Sequence, residues 1–316
     1  MTIVVHDGVE AEVGGARVRR VLPRRRLRTV GAWCFADHMG PAEVTETAGL
    51  DVGPHPHTGL QTVTWLMDGA ILHRDSLGSE QLIRPGQVNL MTARRGVVHA
   101  EENTGTYRGT LHGMQLWVAQ PDGSRNGEPA FEHHRELPFV EWGHASATLI
   151  AGTYLDAVSP AAFGTDLLGM QVTLQPGVTT FPLNRDFEHA LIALDGPVSV
   201  SDPGGTEVAA PRTRTSPGQI AALGAGRSEV DVTVRETTAL MVLGGTPFPE
   251  PVFMWWNFVA RTADEVSTFY SDWRDRAQRF GEVDSRLTRI PAPPPPWEPI
   301  RVKPPTEVAK PIPPGV

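Results

Sequence analysis

One cysteine stands in 316 residues, Cys34. A single thiol excludes an intramolecular disulfide framework and any zinc site built on cysteine. Flanked by Trp33 and Phe35, it reads as a buried strand thiol rather than a reactive one. Positive charge is also in short supply: 28 Lys and Arg against 36 Asp and Glu give a formal net charge of −8 and a pI near 5.8. That balance argues against general nucleic-acid binding. The one basic cluster, Arg17 to Arg28, is broken by Pro23 and fits a solvated strand edge or a face that pairs with carboxylates. Long apolar runs are missing too. Met1 to Arg20 holds no apolar stretch of the kind a signal peptide needs, and no later segment approaches the roughly 18 uncharged apolar residues of a membrane span. The expectation is a soluble, cytoplasmic protein that uses neither nucleic acid nor membrane as a partner.

Glycine (32) and proline (29) are plentiful, and short apolar runs lie between them. Examples are Thr62-Val63-Thr64-Trp65-Leu66, Met114-Gln115-Leu116-Trp117-Val118, Ala190-Leu191-Ile192-Ala193-Leu194 and Ala239-Leu240-Met241-Val242-Leu243. Many short strands with closely spaced turn signals predict an all-β antiparallel sandwich or barrel. Amphipathic helices do not alternate with the strands, which disfavours a parallel α/β sheet. A weak repeat suggests duplication. Leu66-Met67-Asp68-Gly69 is followed by Pro85-Gly86-Gln87-Val88, and Leu194-Asp195-Gly196 by Pro217-Gly218-Gln219-Ile220. Two similar β-barrels are expected, spanning residues 1–140 and 141–261.

One helix is well signalled, over 262–281. Thr262 suits the N-cap, with Glu265 completing a capping box. Val266, Phe269, Trp273, Ala277 and Phe280 recur at three- and four-residue steps, and Gly281 suits the position just past the end. The stripe is expected to dock the helix on a barrel. Residues 291–316 hold eleven prolines and predict an extended, polyproline-like tail.

The chemistry concentrates in two short segments. His55-Pro56-His57 and His99-Ala100-Glu101 each place two metal-binding side chains two residues apart. In a strand, alternate residues share a face, so each pair is half of a site. Antiparallel neighbours can join the halves into three neutral imidazoles and one carboxylate. Imidazole and carboxylate donors suit Fe(II), Mn(II), Ni(II), Cu(II) or Zn(II).

Pro85-Gly86 ahead of Gly96-x-x-His99-x-x-x-Asn103, with Gly69 after the first pair, resembles the two motifs of the cupin superfamily. The finer likeness is to the pirin family. Asp37-His38-Met39-Gly40-Pro41 resembles its opening motif, and His55-Pro56-His57-Thr58-Gly59-Leu60-Gln61-Thr62-Val63-Thr64 its first metal motif. His73-Arg74-Asp75-Ser76-Leu77-Gly78, Met91 to Glu101 and Met114-Gln115-Leu116-Trp117-Val118 follow in the family's order. The likeness is dense over residues 17–121 and thinner beyond.

The resemblance implies a bicupin, two tandem cupin-type barrels, whose N-terminal barrel holds one iron on His55, His57, His99 and Glu101. The second barrel, where His189 stands alone, is expected to be metal-free. Pirins commonly carry Glu where this chain has Gln61, which implies altered charge near the metal. For His38, His73 and His112 a structural hydrogen bond is expected, with a contact supporting the metal ligands as the alternative, and for His133 and His134 a solvated connector. The activity implied is that of a dioxygenase cleaving a flavonol such as quercetin with O2, with Glu101 also accepting the substrate's hydroxyl proton. The competing expectation is a non-enzymatic, iron-dependent regulator acting through a protein partner.

Overall fold

A computed structural model describes residues 2–45, 49–204 and 212–297. The chain is a bicupin. In the first barrel a seven-stranded sheet faces a four-stranded one. The large sheet runs Ala130–His134, Val88–Thr92, Leu60–Asp68, Gly109–Ala119, Trp33–Val44, Ala16–Leu22, Val9–Val13. The small one runs Val52–His57, Val97–Glu102, Ile71–Asp75, Glu80–Ile83.

The second barrel repeats this order: Gln219–Gly224, Glu188–Ala193, Thr238–Gly245 and Leu167–Leu174 in the large sheet, Gly177–Pro182, Glu229–Val234, Val198–Ser201 and Thr213–Thr215 in the small one. The Pro-Gly-Gln repeat is one turn built twice. Gly86 (φ 79°) and Gly218 (φ 82°) adopt the left-handed conformation that glycine tolerates. Gln87 Oε1 accepts from the Arg84 N–H at 3.1 Å, and Gln219 Oε1 from the Ser216 N–H at 2.8 Å.

The two large sheets pack back to back. Strand alternation sends Val63 and Trp65 into a shared core with Ile150, Ile192, Ile220 and Leu243, each side chain contributing roughly 1.5–3 kcal/mol on full burial. Trp33 closes the join, its indole N–H shared between the carbonyls of Leu168 and Gly244, each at 3.1 Å.

Two segments cross the boundaries expected from sequence. Val4–Asp7 pairs with Gln219–Gly224, so the N-terminal strand completes the second barrel's sheet. Gly8 then redirects the chain, held by its N–H to the Gly218 carbonyl at 2.8 Å. The hairpin Phe253–Trp255 and Phe258–Ala260 returns to the first barrel, where Phe258 bridges Thr58.

The helix is shorter than expected, Ala263–Arg274, with Thr262 accepting from the Glu265 N–H as predicted. It ends because Arg276 turns left-handed (φ 56°). Phe280 still reaches Trp273, at 5.6 Å between ring centroids, through a separate 3-10 turn, Gln278–Phe280. Of the proline-rich tail, residues 298–316 lie outside the described residues. Among the described residues no helix is long and apolar enough to cross a membrane.

Candidate metal centre

Strands Val52–His57 and Val97–Glu102 are antiparallel neighbours, with His99 opposite His55 and Val97 opposite His57. That register gathers His55, His57 and His99, all buried, so that one ligand atom from each lies within 4.8 Å of the others.

Hydrogen bonds decide which nitrogen each ring offers. His55 Nδ1 sits 2.8 Å from the Gly53 carbonyl and His57 Nδ1 3.1 Å from the Asn257 carbonyl. A carbonyl only accepts, so both rings are protonated at Nδ1 and carry the lone pair on Nε2. His99 reaches the same state by a longer chain. Its Nδ1 lies 3.4 Å from His73 Nδ1, and His73 Nε2 lies 3.1 Å from Asp75 Oδ2. The Asp75 carboxylate requires the proton on His73 Nε2, which makes His73 Nδ1 an acceptor for His99 Nδ1–H. Asp75 is held by the backbone N–H groups of Leu77 and Ser79. Burial pushes its pKa up, but the hydrogen bonds from His73 and Ser79 outweigh that and hold it below the usual range.

His99 Nε2 is buried and has no hydrogen-bond partner among the described residues. An orphaned buried nitrogen costs about 1–3 kcal/mol; a cation at the centre of the cluster would satisfy it. Burial and the neighbouring imidazoles keep all three rings neutral: His55 falls to about 4, and His57 and His99 well below their ordinary value. Neutral rings with exposed lone pairs are what metal binding requires. The residues fit a metal ion.

Glu101 is not part of the three-histidine cluster. It stands on the same inward face two residues beyond His99, buried, accepting from the Thr64 hydroxyl at 3.2 Å. Burial raises its pKa. With His55 and His57 it lines a cavity of about 370 Å³. Phe35 and Trp117 form one wall, stacked at 4.0 Å, and His57 meets the Trp117 edge at 5.0 Å. Asp37 is bidentate with Arg20, both bonds 2.8 Å, and Arg20 covers Phe35 at 4.5 Å. The basic cluster thus meets a carboxylate, as one reading of the sequence held. Burial is the main force on Asp37 and raises its pKa, with Arg20 opposing it. Cys34 lies buried behind this wall, its thiol pushed up to about 12 by burial.

Gln61 corrects an expectation. On its strand Thr62 and Thr64 face the barrel interior, so Gln61 points the other way. Its amide donates to Thr92 Oγ1 at 2.9 Å and to the Ala162 carbonyl at 3.0 Å, the latter beyond the first barrel. It does not set the charge beside the histidines. His133 and His134 lie not in a connector but on an edge strand, half-buried, with His133 Nδ1 2.7 Å from Asn89 Oδ1. His38 and His112 share a hydrogen bond of 2.8 Å, as expected of structural histidines. Sequence reasoning missed Asn257, 200 positions from His57, for which no local signal exists. A supporting contact of His73 to the metal ligands was only the lesser reading of the sequence, and its pairing with Asp75 was missed, although their spacing alone puts both on one strand face.

The Pirin family model matches residues 15–118, and the model of the pirin C-terminal cupin domain matches residues 169–281. The chain belongs to the pirin family. Among its relatives, a Pseudomonas aeruginosa protein provisionally named quercetin 2,3-dioxygenase is 42% identical over 291 residues, covering 91% of this chain and 89% of its own. Human Pirin is 27% identical, covering 92% of this chain and 97% of its own. A crystal structure of quercetin 2,3-dioxygenase from Acinetobacter baumannii matches with a TM-score of 0.88 and 41% identity, over 94% of this pirin and 96% of that chain.

Proposed function

We propose that this pirin is a flavonol 2,3-dioxygenase that holds one iron(II) on His55, His57, His99 and Glu101. The observation that carries the reading is the convergence of three neutral imidazoles, each tied at Nδ1, two of which line a cavity walled by Phe35 and Trp117. The names of two relatives, each above 40% identity, point to the same chemistry. A cavity of about 370 Å³ is within the range of small-molecule sites.

When bound, a redox-active divalent ion supplies Lewis acidity toward the substrate's hydroxy-ketone and a partner for O2. The chain's own residues do the rest. Trp117, backed by Phe35, supplies the aromatic wall against which the planar rings lie. Glu101, its pKa raised by burial, takes the flavonol 3-hydroxyl proton at a carboxylate oxygen. The Arg20–Asp37 pair orients hydroxyls at the cavity wall. Both oxygen atoms of O2 enter the products, so that quercetin and O2 give the depside and carbon monoxide.

The test is oxygen uptake with quercetin, scored by carbon monoxide release in equal amount. Wild type turns over, and His55→Ala is inactive with unchanged circular dichroism. Carbon monoxide release at the wild-type rate from His55→Ala would overturn the assignment of the site.

A further inference from the structure

The second barrel has no metal cluster among its described residues, but it carries a cavity of its own. A cavity of about 540 Å³ opens there, lined by His189, Tyr154, Thr165, Phe163, Leu168 and Phe187 among others. His189 is 2% exposed and Tyr154 6%. The Tyr154 hydroxyl and Thr165 Oγ1 have no hydrogen-bond partner among the described residues, and His189 has none but the Phe187 carbonyl, which lies beside one of its ring nitrogens. Buried polar atoms of native proteins are nearly always paired, so three unpaired atoms on side chains that line one cavity, a His189 nitrogen, the Tyr154 hydroxyl and Thr165 Oγ1, call for an occupant that pairs them.

The chemistry of the wall selects its class. Burial drives the His189 imidazole down to about 4, against the smaller effect of the hydrogen bond to the Phe187 carbonyl, so the ring is neutral, and with its N–H turned to that carbonyl the other nitrogen is left to accept. Burial also raises the Tyr154 phenol, which stays protonated. No Lys or Arg lines the cavity and Asp166 does, which leaves an anion without a counter-charge. Phe163, Leu167, Leu168, Pro182 and Phe187 supply apolar surface. His189 sits on the same inward face as Leu191, whose apolar neighbours fill the barrel below.

We infer that the second barrel binds, without metal, an uncharged small molecule combining an apolar ring with two or more hydroxyl or carbonyl groups. The inference is independent of the reaction assigned to the first barrel. One wall, the loop carrying Ala162 and Phe163, also touches the first barrel: Ala162 accepts from Gln61 and Phe163 packs on Trp33 at 6.1 Å.

Resorcinol is a suitable probe, because its meta hydroxyls cannot chelate a metal. Titrated calorimetrically into the full metal-loaded chain, it binds, while benzoate added to the same cavity as an anionic control does not displace it. Tyr154→Phe and His189→Leu each weaken binding by about 3- to 10-fold, the worth of one hydrogen bond, and crystals soaked with resorcinol show it against both side chains. Equal affinity in wild type and Tyr154→Phe, a variant that removes only an oxygen, overturns the inference. So does density in the crystal with no heat of binding in solution, or a ligand found only beside His57.

Discussion

The two barrels share a strand order and differ in what their small sheets turn inward. Where the first presents His55, His57 and His99, the corresponding pair of strands in the second presents Thr179, Phe181, Val230 and Val232. Phe181, Val230 and Val232 are fully buried in an apolar cluster that fills the interior. Backbone architecture is therefore indifferent to function here. A handful of inward positions decide whether a cupin barrel is a hydrophobic core or a polar cavity, and a core that is full cannot hold an ion.

The largest expected effect breaks the first half of that comparison. His99→Ala removes the lone pair anchored by the longest hydrogen-bond chain; metal content measured by mass spectrometry should fall below detection, with folding retained. Breaking the second half costs stability and spares the metal. Phe181→Ala should destabilise by about 3–5 kcal/mol, read by denaturant unfolding, with metal content per folded chain unchanged. Asp75→Asn sharpens the role of the relay. An amide at residue 75 can donate to His73 and free its tautomer, and His99 then loses its fixed orientation. Metal affinity should drop about 10- to 100-fold, the usual cost of losing such an outer partner, measured by competition with a chelator.

Acid should act on both barrels, through His38 in the first and His189 in the second, which burial holds near 4. Below about 6.5 the unfolded chain binds protons that the folded chain refuses. Their stabilising contribution is complete above that pH and declines as pH falls from about 6.5 toward 4. The melting temperature should drop over this window, and less steeply in His189→Phe; an unchanged slope contradicts the assignment. The smallest effect concerns Gln61→Glu. Because the side chain faces the join between barrels, metal affinity should stay within about 2-fold, while the lost amide donor to Ala162 lowers the melting temperature by a few degrees.

What was legible in the sequence was whatever depends on short spacing. Alternation placed His55 with His57, the N-cap Thr262 marked the helix start, and Pro-Gly-Gln marked equivalent turns. What was not legible depends on which distant segments meet. Asn257 fixes His57 only because the late hairpin folds back, and Val4–Asp7 joins the far barrel because that sheet edge was open to pairing. The helix ran past its end in the sequence reading because Phe280 keeps the stripe's contacts after the backbone has left it. Gln61 was misread for a different reason: its motif neighbours suggested the metal, while strand parity against Thr62 and Thr64 sends it elsewhere.

The central claim is that the first barrel's three histidines and Glu101 hold one metal ion and that flavonol cleavage depends on it. The direct measurement is metal stoichiometry and quercetin turnover on one sample, before chelation, after it, and after restoring iron(II) anaerobically. The expected result is about one ion per chain, turnover lost with the metal and regained with it. Full turnover in a chain shown to be metal-free would contradict the account.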